Sequence, residues 1–222
     1  MSVVDTLQEV YGRLLARFGP QHWWPGDSGW EMMVGAVLTQ AVRWSNVERA
    51  IANLKSSGVL SPPPALRRLP PEELARLIRP AGYYNVKARK LKALAQLMGD
   101  AGDDLARLFN EYTDGLRRRL LGVYGVGEET ADSILLYAAS RPVFVIDAYT
   151  SRIMGRMGLA PPTASYSELQ RLFMDHLPPD AALYNEYHAL LVHLGKNTCR
   201  KTPLCPTCPL NTTCPFPEGP GR

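Results

Sequence analysis

Apolar residues recur at helical spacing along almost the whole chain, and that rhythm restricts the fold class more than any other feature. Trp30, Met33, Val34, Val37, Leu38 and Ala41 follow i, i+3, i+4, i+7, i+8 and i+11, the stripe of a buried helix. Ser45-x-x-Glu48 reads as a capping box opening a second helix, with Val47, Ala50, Ile51 and Leu54 inward. Prolines 62 to 64 break the chain, Pro70 and Pro71 start a short helix through Ile78, and Pro80-Ala81-Gly82 ends it. Further helices are expected over 85–99, 103–112, 114–122, 129–139, 148–157, 165–176 and 180–196. No alternating strand pattern of useful length occurs, so VFVI at 143–146 is expected to be a short extended connector in an all-α protein.

The 222 residues suffice for one large domain or two small ones with a buried core. No apolar run approaches the roughly 20 residues of a membrane span. The N-terminal stretch carries Asp5 and Glu9 inside a helical pattern, unlike a signal peptide, so a soluble cytosolic protein is expected. A net charge of +4 and a pI near 8.9 permit nucleic-acid binding without demanding it. The basic residues are clustered: Lys87, Arg89, Lys90 and Lys92; Arg117 to Arg119; and Lys196, Arg200 and Lys201. Each cluster alone could be a solvated helix face.

All four cysteines fall in CRKTPLCPTCPLNTTC, spaced Cys199-x5-Cys205-x2-Cys208-x5-Cys214. A cytosolic chain rarely spends its whole cysteine stock on disulfides, which favours a metal site. One close pair flanked by two wider gaps, with Pro206, Pro209 and Pro215 each following a cysteine, suits an iron–sulfur cluster. Zinc and disulfides stay open on spacing alone. After Leu194 the helical period is lost, and the tail has too little apolar surface to order itself without such a site.

In VYGVGEETADSILLYA, at 123–138, two helices meet at a glycine turn. Gly125 and Gly127 lack a β-carbon, so the backbone N–H groups can approach a partner closely, and a DNA phosphate bound regardless of sequence suits them. An ordinary αα turn is the alternative. Glu128 and Glu129, at the start of the second helix, are favoured there by the helix dipole but add no attraction for an anion. About twenty residues on, Asp147 in VFVIDAYTSRI precedes a helix, where a capping role is the ordinary reading.

Together these features closely resemble the endonuclease III superfamily of DNA base-excision glycosylases. The resemblance runs from Leu38-Thr39-Gln40 through GYYNVKARKL at 82–91 and G-V-G-x-x-T-A to Cys214. It implies a two-domain helix-hairpin-helix glycosylase fold with a C-terminal iron–sulfur loop: residues 28–140 a helical barrel carrying the hairpin, 1–27 plus 141–222 a second helical domain, and 199–214 the cluster loop. By the resemblance, Asp147 is the catalytic aspartate, Gly125, Gly127 and Thr130 meet the DNA backbone, and Gln40 probes the gap left by a flipped base. Cys199, Cys205, Cys208 and Cys214 would hold a [4Fe-4S] cluster, although the family usually has six residues between the first two cysteines and this chain has five.

A second departure bears on chemistry. Family members that also cut the strand carry a lysine immediately before the hairpin threonine, and here that residue is Glu129. A carboxylate cannot form a Schiff base, so the resemblance implies a monofunctional glycosylase with weak or no AP-lyase activity. In it water hydrolyses the N-glycosidic bond while Asp147 stabilises the oxocarbenium-like charge.

The runs WWP, GAVLTQ, RPAGYYNVKARKL and GVGEETADSILLYA look most like the 3-methyladenine glycosylase branch. That implies a base sandwiched by Trp24 and Trp44, with Lys196 on the pocket wall; a phosphate or solvent contact is the alternative for Lys196. Trp30 fits the core stripe, and His193 reads as a packed helix residue. An alkylated purine is cationic and stacks well on indole. Oxidised pyrimidines or mismatched thymine are the rival substrates, and a catalytically inactive DNA-binding module is the rival class. The expected partner is double-stranded DNA with a flipped damaged base, bound by a monomer in the cytoplasm at the nucleoid.

Overall fold

The structure, a computed structural model, describes residues 2–216. Its helices, in chain order, are α1 (Val3–Phe18), α2 (Gly29–Leu38), α3 (Trp44–Ser56), α4 (Pro63–Arg68), α5 (Pro71–Leu77), α6 (Tyr84–Asp100), α7 (Leu105–Phe109), α8 (Thr113–Leu121), α9 (Glu128–Ser133), α10 (Ala148–Arg156), α11 (Tyr166–Met174) and α12 (Ala181–Asn197). No strand occurs among the described residues, and none of their helices is long and apolar enough to cross a membrane. The chain divides into two compact units, one of residues 24–140 and one of residues 1–23 with 141–222.

In the unit of residues 24–140, α2 is the central helix. Ser28 caps it by accepting from the Glu31 N–H, and Trp30, Met33, Val34, Val37 and Leu38 are buried as the stripe requires. The Trp30 indole donates to the Leu60 carbonyl at 2.6 Å, which satisfies the one polar atom of a buried ring. α3, α6 and the end of the hairpin pack on α2, while α4 and α5 lie on α6.

Two local readings of the sequence are corrected here. The capping box at Ser45 does not form: α3 begins two residues earlier, at Trp44 rather than Asn46, with Arg43 as an N-cap that makes no side-chain bond. Glu48 instead accepts from the Trp44 indole N–H at 2.8 Å, a bond that outcompetes the cap because both side chains lie on one helix face. The helix expected over 103–112 shrinks to Leu105–Phe109. Asp103 turns left-handed (φ 58) and Asp104 caps Ala106 and Arg107, so the helix cannot start earlier.

The other unit is built on an aromatic core. VFVI is buried and belongs to neither helix nor strand, and its Phe144 ring stacks on Phe173 at 3.8 Å with 5° between planes. Tyr184 and Tyr187 meet Phe144 edge-on, and the Tyr187 hydroxyl donates to the Leu7 carbonyl at 2.8 Å, which ties α12 to α1. Leu7, Val10 and Leu14 supply the buried face of α1. This packing fixes the end of VFVI, and with it the position of Asp147.

Candidate functional site

The hairpin in residues 24–140 forms where the glycines place it. Gly122 closes α8, Val126 donates to the Val123 carbonyl at 3.0 Å, and Gly125 takes φ +80. That left-handed backbone favours glycine, and a β-carbon there would also stand 2.4 Å from Lys90 Cγ. Gly127 is the N-cap of α9, and its carbonyl accepts from Ala131. The two hairpin helices are clamped by Arg117, which donates twice to the fully buried Asp132 at 2.7 and 3.0 Å. The same guanidinium reaches Glu128 at 3.5 Å, which draws one of the two acids aside. Glu129 is exposed in the first turn of α9.

Gln40 lies on this hairpin rather than free at its tip. Its amide donates to the Gly125 carbonyl at 3.0 Å and the Thr130 hydroxyl at 2.9 Å, and its carbonyl accepts from the Lys90 ammonium. A gap-probing role therefore requires Gln40 to release these bonds. Thr130 is buried, and its hydroxyl serves the Gln40 strap.

Trp24, Trp44 and Tyr137 form an aromatic group, with the Trp24 ring 5.2 Å from each of the others. Gly35 leaves room for it, since a β-carbon there would stand 3.2 Å from Trp24 Nε1. Trp24 and Trp44 meet edge to face at 88°, in contact. A base sandwiched between them needs near-parallel rings roughly 7 Å apart, twice an ideal carbon contact. The expected sandwich is thus closed in this conformation, and the Glu48 bond is what holds the Trp44 ring.

The basic run at 87–92 is not the solvated face its charge suggests. Lys87 is buried and donates to the Leu38 and Ala81 carbonyls, both at 2.8 Å; burial, assisted by Lys90, pushes its pKa down to about 8. Lys92 donates to the Arg67 and Leu69 carbonyls. Arg89 lies over the ring of Tyr124, which is half exposed on the hairpin turn. Tyr83, at φ 43, is 74% exposed. Neither tyrosine stands out by periodicity; the signal for both is an aromatic residue in a turn, where no core needs it.

In the other unit, Asp147 is the N-cap of α10 and accepts from the Thr150 N–H at 2.7 Å. Capping does not exclude function, because the second oxygen is left for other partners: Oδ2 stands 3.9 Å from His188 Nε2. The helix N-terminus stabilises the carboxylate charge. His188 is held below its ordinary pKa by burial, which outweighs the pull of Asp147. Lys196 is exposed in the last turn of α12. His193 is a packed residue, its ring tilted against Phe18 at 4.4 Å and bonded to Gln21.

The four cysteines form no disulfide and line one small cavity of about 60 Å³ together with Arg156, Asn211 and Phe216. Burial raises the Cys208 and Cys214 thiols. Among the described residues no three or more His, Cys, Asp or Glu side chains are drawn together closely enough to hold an ion. The donor set nevertheless fits an iron–sulfur cluster: four soft thiols around a single cavity, with no carboxylate or imidazole among its walls.

Residues 34–179 match the model of the HhH-GPD superfamily of base excision DNA repair proteins. The inferred DNA repair glycosylase MJ1434 of Methanocaldococcus jannaschii is 43% identical over 212 residues, 95% of this chain and 96% of that protein. The structure of the H. pylori 3-methyladenine DNA glycosylase bound to 1,N6-ethenoadenine is similar at a TM-score of 0.75 and 27% identity, over 88% of this chain and 98% of the other. A trapped endonuclease III–DNA covalent intermediate shares the fold at a TM-score of 0.81 and 23% identity, over 97% of both chains. The fold, the hairpin and these matches agree: the chain belongs to the HhH-GPD superfamily of base excision DNA repair proteins.

Proposed function

We propose that the chain, a DNA glycosylase of the HhH-GPD superfamily, is monofunctional: water hydrolyses the N-glycosidic bond of a damaged base, and no covalent enzyme–DNA intermediate forms. The observation that carries this reading is Glu129, exposed in the first turn of α9, where an attacking amine would have to stand. A carboxylate there cannot form an imine with the sugar.

Asp147 supplies the charge for the reaction. As C1′ gains oxocarbenium character, a fixed carboxylate stabilises it, and the same group orients or deprotonates the attacking water. The Thr150 N–H fixes one carboxylate oxygen, so the other is held in place without a large entropic cost. The N–H groups of the turn at Gly125 and Gly127, with Thr130 behind it, meet a DNA backbone phosphate. The damaged base is extruded from duplex DNA into a pocket that Trp24 and Trp44 open to form, with Gln40 turning from the hairpin into the gap.

An alkylated purine is the favoured base, since indole faces attract a cationic ring and the 3-methyladenine glycosylase likeness points the same way. Cys199, Cys205, Cys208 and Cys214 would hold a [4Fe-4S] cluster, which when bound supplies the cross-link that orders the tail. The protein acts as a monomer on chromosomal DNA in the cytoplasm.

The test is a base-release screen over duplexes carrying methylated purines, oxidised pyrimidines or mismatched thymine. Release of methylated purines ahead of the other two is expected. Preferential release of an oxidised pyrimidine or thymine would replace the substrate assignment, and release of nothing would leave a DNA-binding module.

A further inference from the structure

We infer that Arg156 positions the cysteine loop on α10 and sets how readily a cluster held there accepts an electron; this rests on the cluster reading above. Arg156 is the last residue of α10, and its guanidinium grips the loop at three acceptors. Nη1 donates to Cys199 Sγ at 3.2 Å and to the Arg200 carbonyl at 2.7 Å, and Nη2 donates to the Lys201 carbonyl at 2.9 Å. Its other face lies 4.6 Å from the Phe216 ring centre, past the last cysteine. Its backbone carbonyl accepts from the Cys214 thiol at 3.6 Å. One residue thus touches the first and last cysteines of the loop, and it is the one charged side chain among the described residues lining the cavity.

Arg152, one turn earlier, does a different job. It donates to the Cys199 and Gly195 carbonyls, both at 2.9 Å, and so fixes the end of α12 without touching a sulfur.

Two consequences follow from this geometry. A loop already tied at three points loses less freedom when thiolates close on iron, so the cluster is held longer. A [4Fe-4S] cluster with four thiolates goes from a charge of about −2 to about −3 on taking one electron, and a cation hydrogen-bonded to a ligand sulfur favours the more negative state. In that step one electron enters from an electrode, and the guanidinium keeps its protons.

The test compares purified holoprotein with Arg156→Gln, Arg156→Lys and, as a control, Arg152→Gln. The readouts are iron per chain, the absorbance near about 400 nm and the midpoint potential by voltammetry. In Arg156→Gln the potential is expected to fall by about 59 mV or more, a tenfold loss of reduced cluster at fixed potential, and the colour to fade several-fold faster in air. Arg156→Lys keeps the charge but not the fork and should fall between, while Arg152→Gln keeps the wild-type potential. A coloured Arg156→Gln protein with wild-type potential and lifetime overturns the role of Arg156 alone. A colourless wild-type protein overturns the cluster reading and this role with it.

Discussion

His188 Nε2 lies 3.9 Å from Asp147 Oδ2, and the two side chains are only 6% and 12% exposed. Burial keeps the imidazole below its ordinary pKa of 6.5. At neutral pH the ring is therefore uncharged and forms no ion pair with Asp147, whose Oδ1 accepts from the Thr150 N–H.

Asp147→Asn keeps the cap, because an asparagine oxygen accepts from Thr150 as well as a carboxylate does. Folding and DNA affinity should persist while base release in single-turnover assays falls by about 10²–10⁴-fold. Base release at the wild-type rate would exclude Asp147 from the chemistry.

The His188 shift has a sign that can be checked. Because the folded pKa is depressed, the unfolded chain binds more protons between that value and 6.5, so stability is full above 6.5 and is lost as pH falls below it. Urea unfolding from about pH 8 to about pH 5 should show that loss, and His188→Phe should flatten it. A wild-type acid limb that His188→Phe leaves untouched would assign the loss elsewhere.

Gly125→Ala places a β-carbon at φ +80 against the Lys90 stem. The backbone cost alone is about 1–2 kcal/mol. Affinity for DNA should drop alike for damaged and undamaged duplexes, because a phosphate contact carries no sequence information. Fluorescence anisotropy measures both; a loss confined to damaged DNA would move Gly125 from the backbone to the base.

Glu48→Ala removes the 2.8 Å bond on the Trp44 indole. If the aromatic group must open for a base, half-saturation by lesion-bearing DNA should improve about two- to tenfold, the worth of one exposed hydrogen bond. Weaker binding of lesion DNA would mean that the edge-on Trp44 is the binding form.

Helical class, helix order and the hairpin were legible because each is local: a 3.6-residue stripe, two glycines at a turn, prolines at breaks. The Asp147 cap was legible for the same reason. What the sequence did not disclose depends on long-range partners. Lys87 reads as a surface charge beside Arg89 and Lys90, yet it is buried because the Leu38 and Ala81 carbonyls need a donor there. Ser45 loses its cap to a Trp44–Glu48 bond of equal local merit. Gln40 reads as a free probe, and only the fold brings Gly125 and Thr130, 85 and 90 residues away, to occupy it.

The most direct test of the central claim combines base release and borohydride trapping in one reaction. The wild-type protein is incubated with a duplex carrying a methylated purine in the presence of borohydride, and freed base and covalent adduct are counted together. Freed base without adduct is the expected result. An adduct that forms in proportion to base release would contradict hydrolysis by water and reveal an attacking amine that the hairpin, with Glu129 in that position, does not supply.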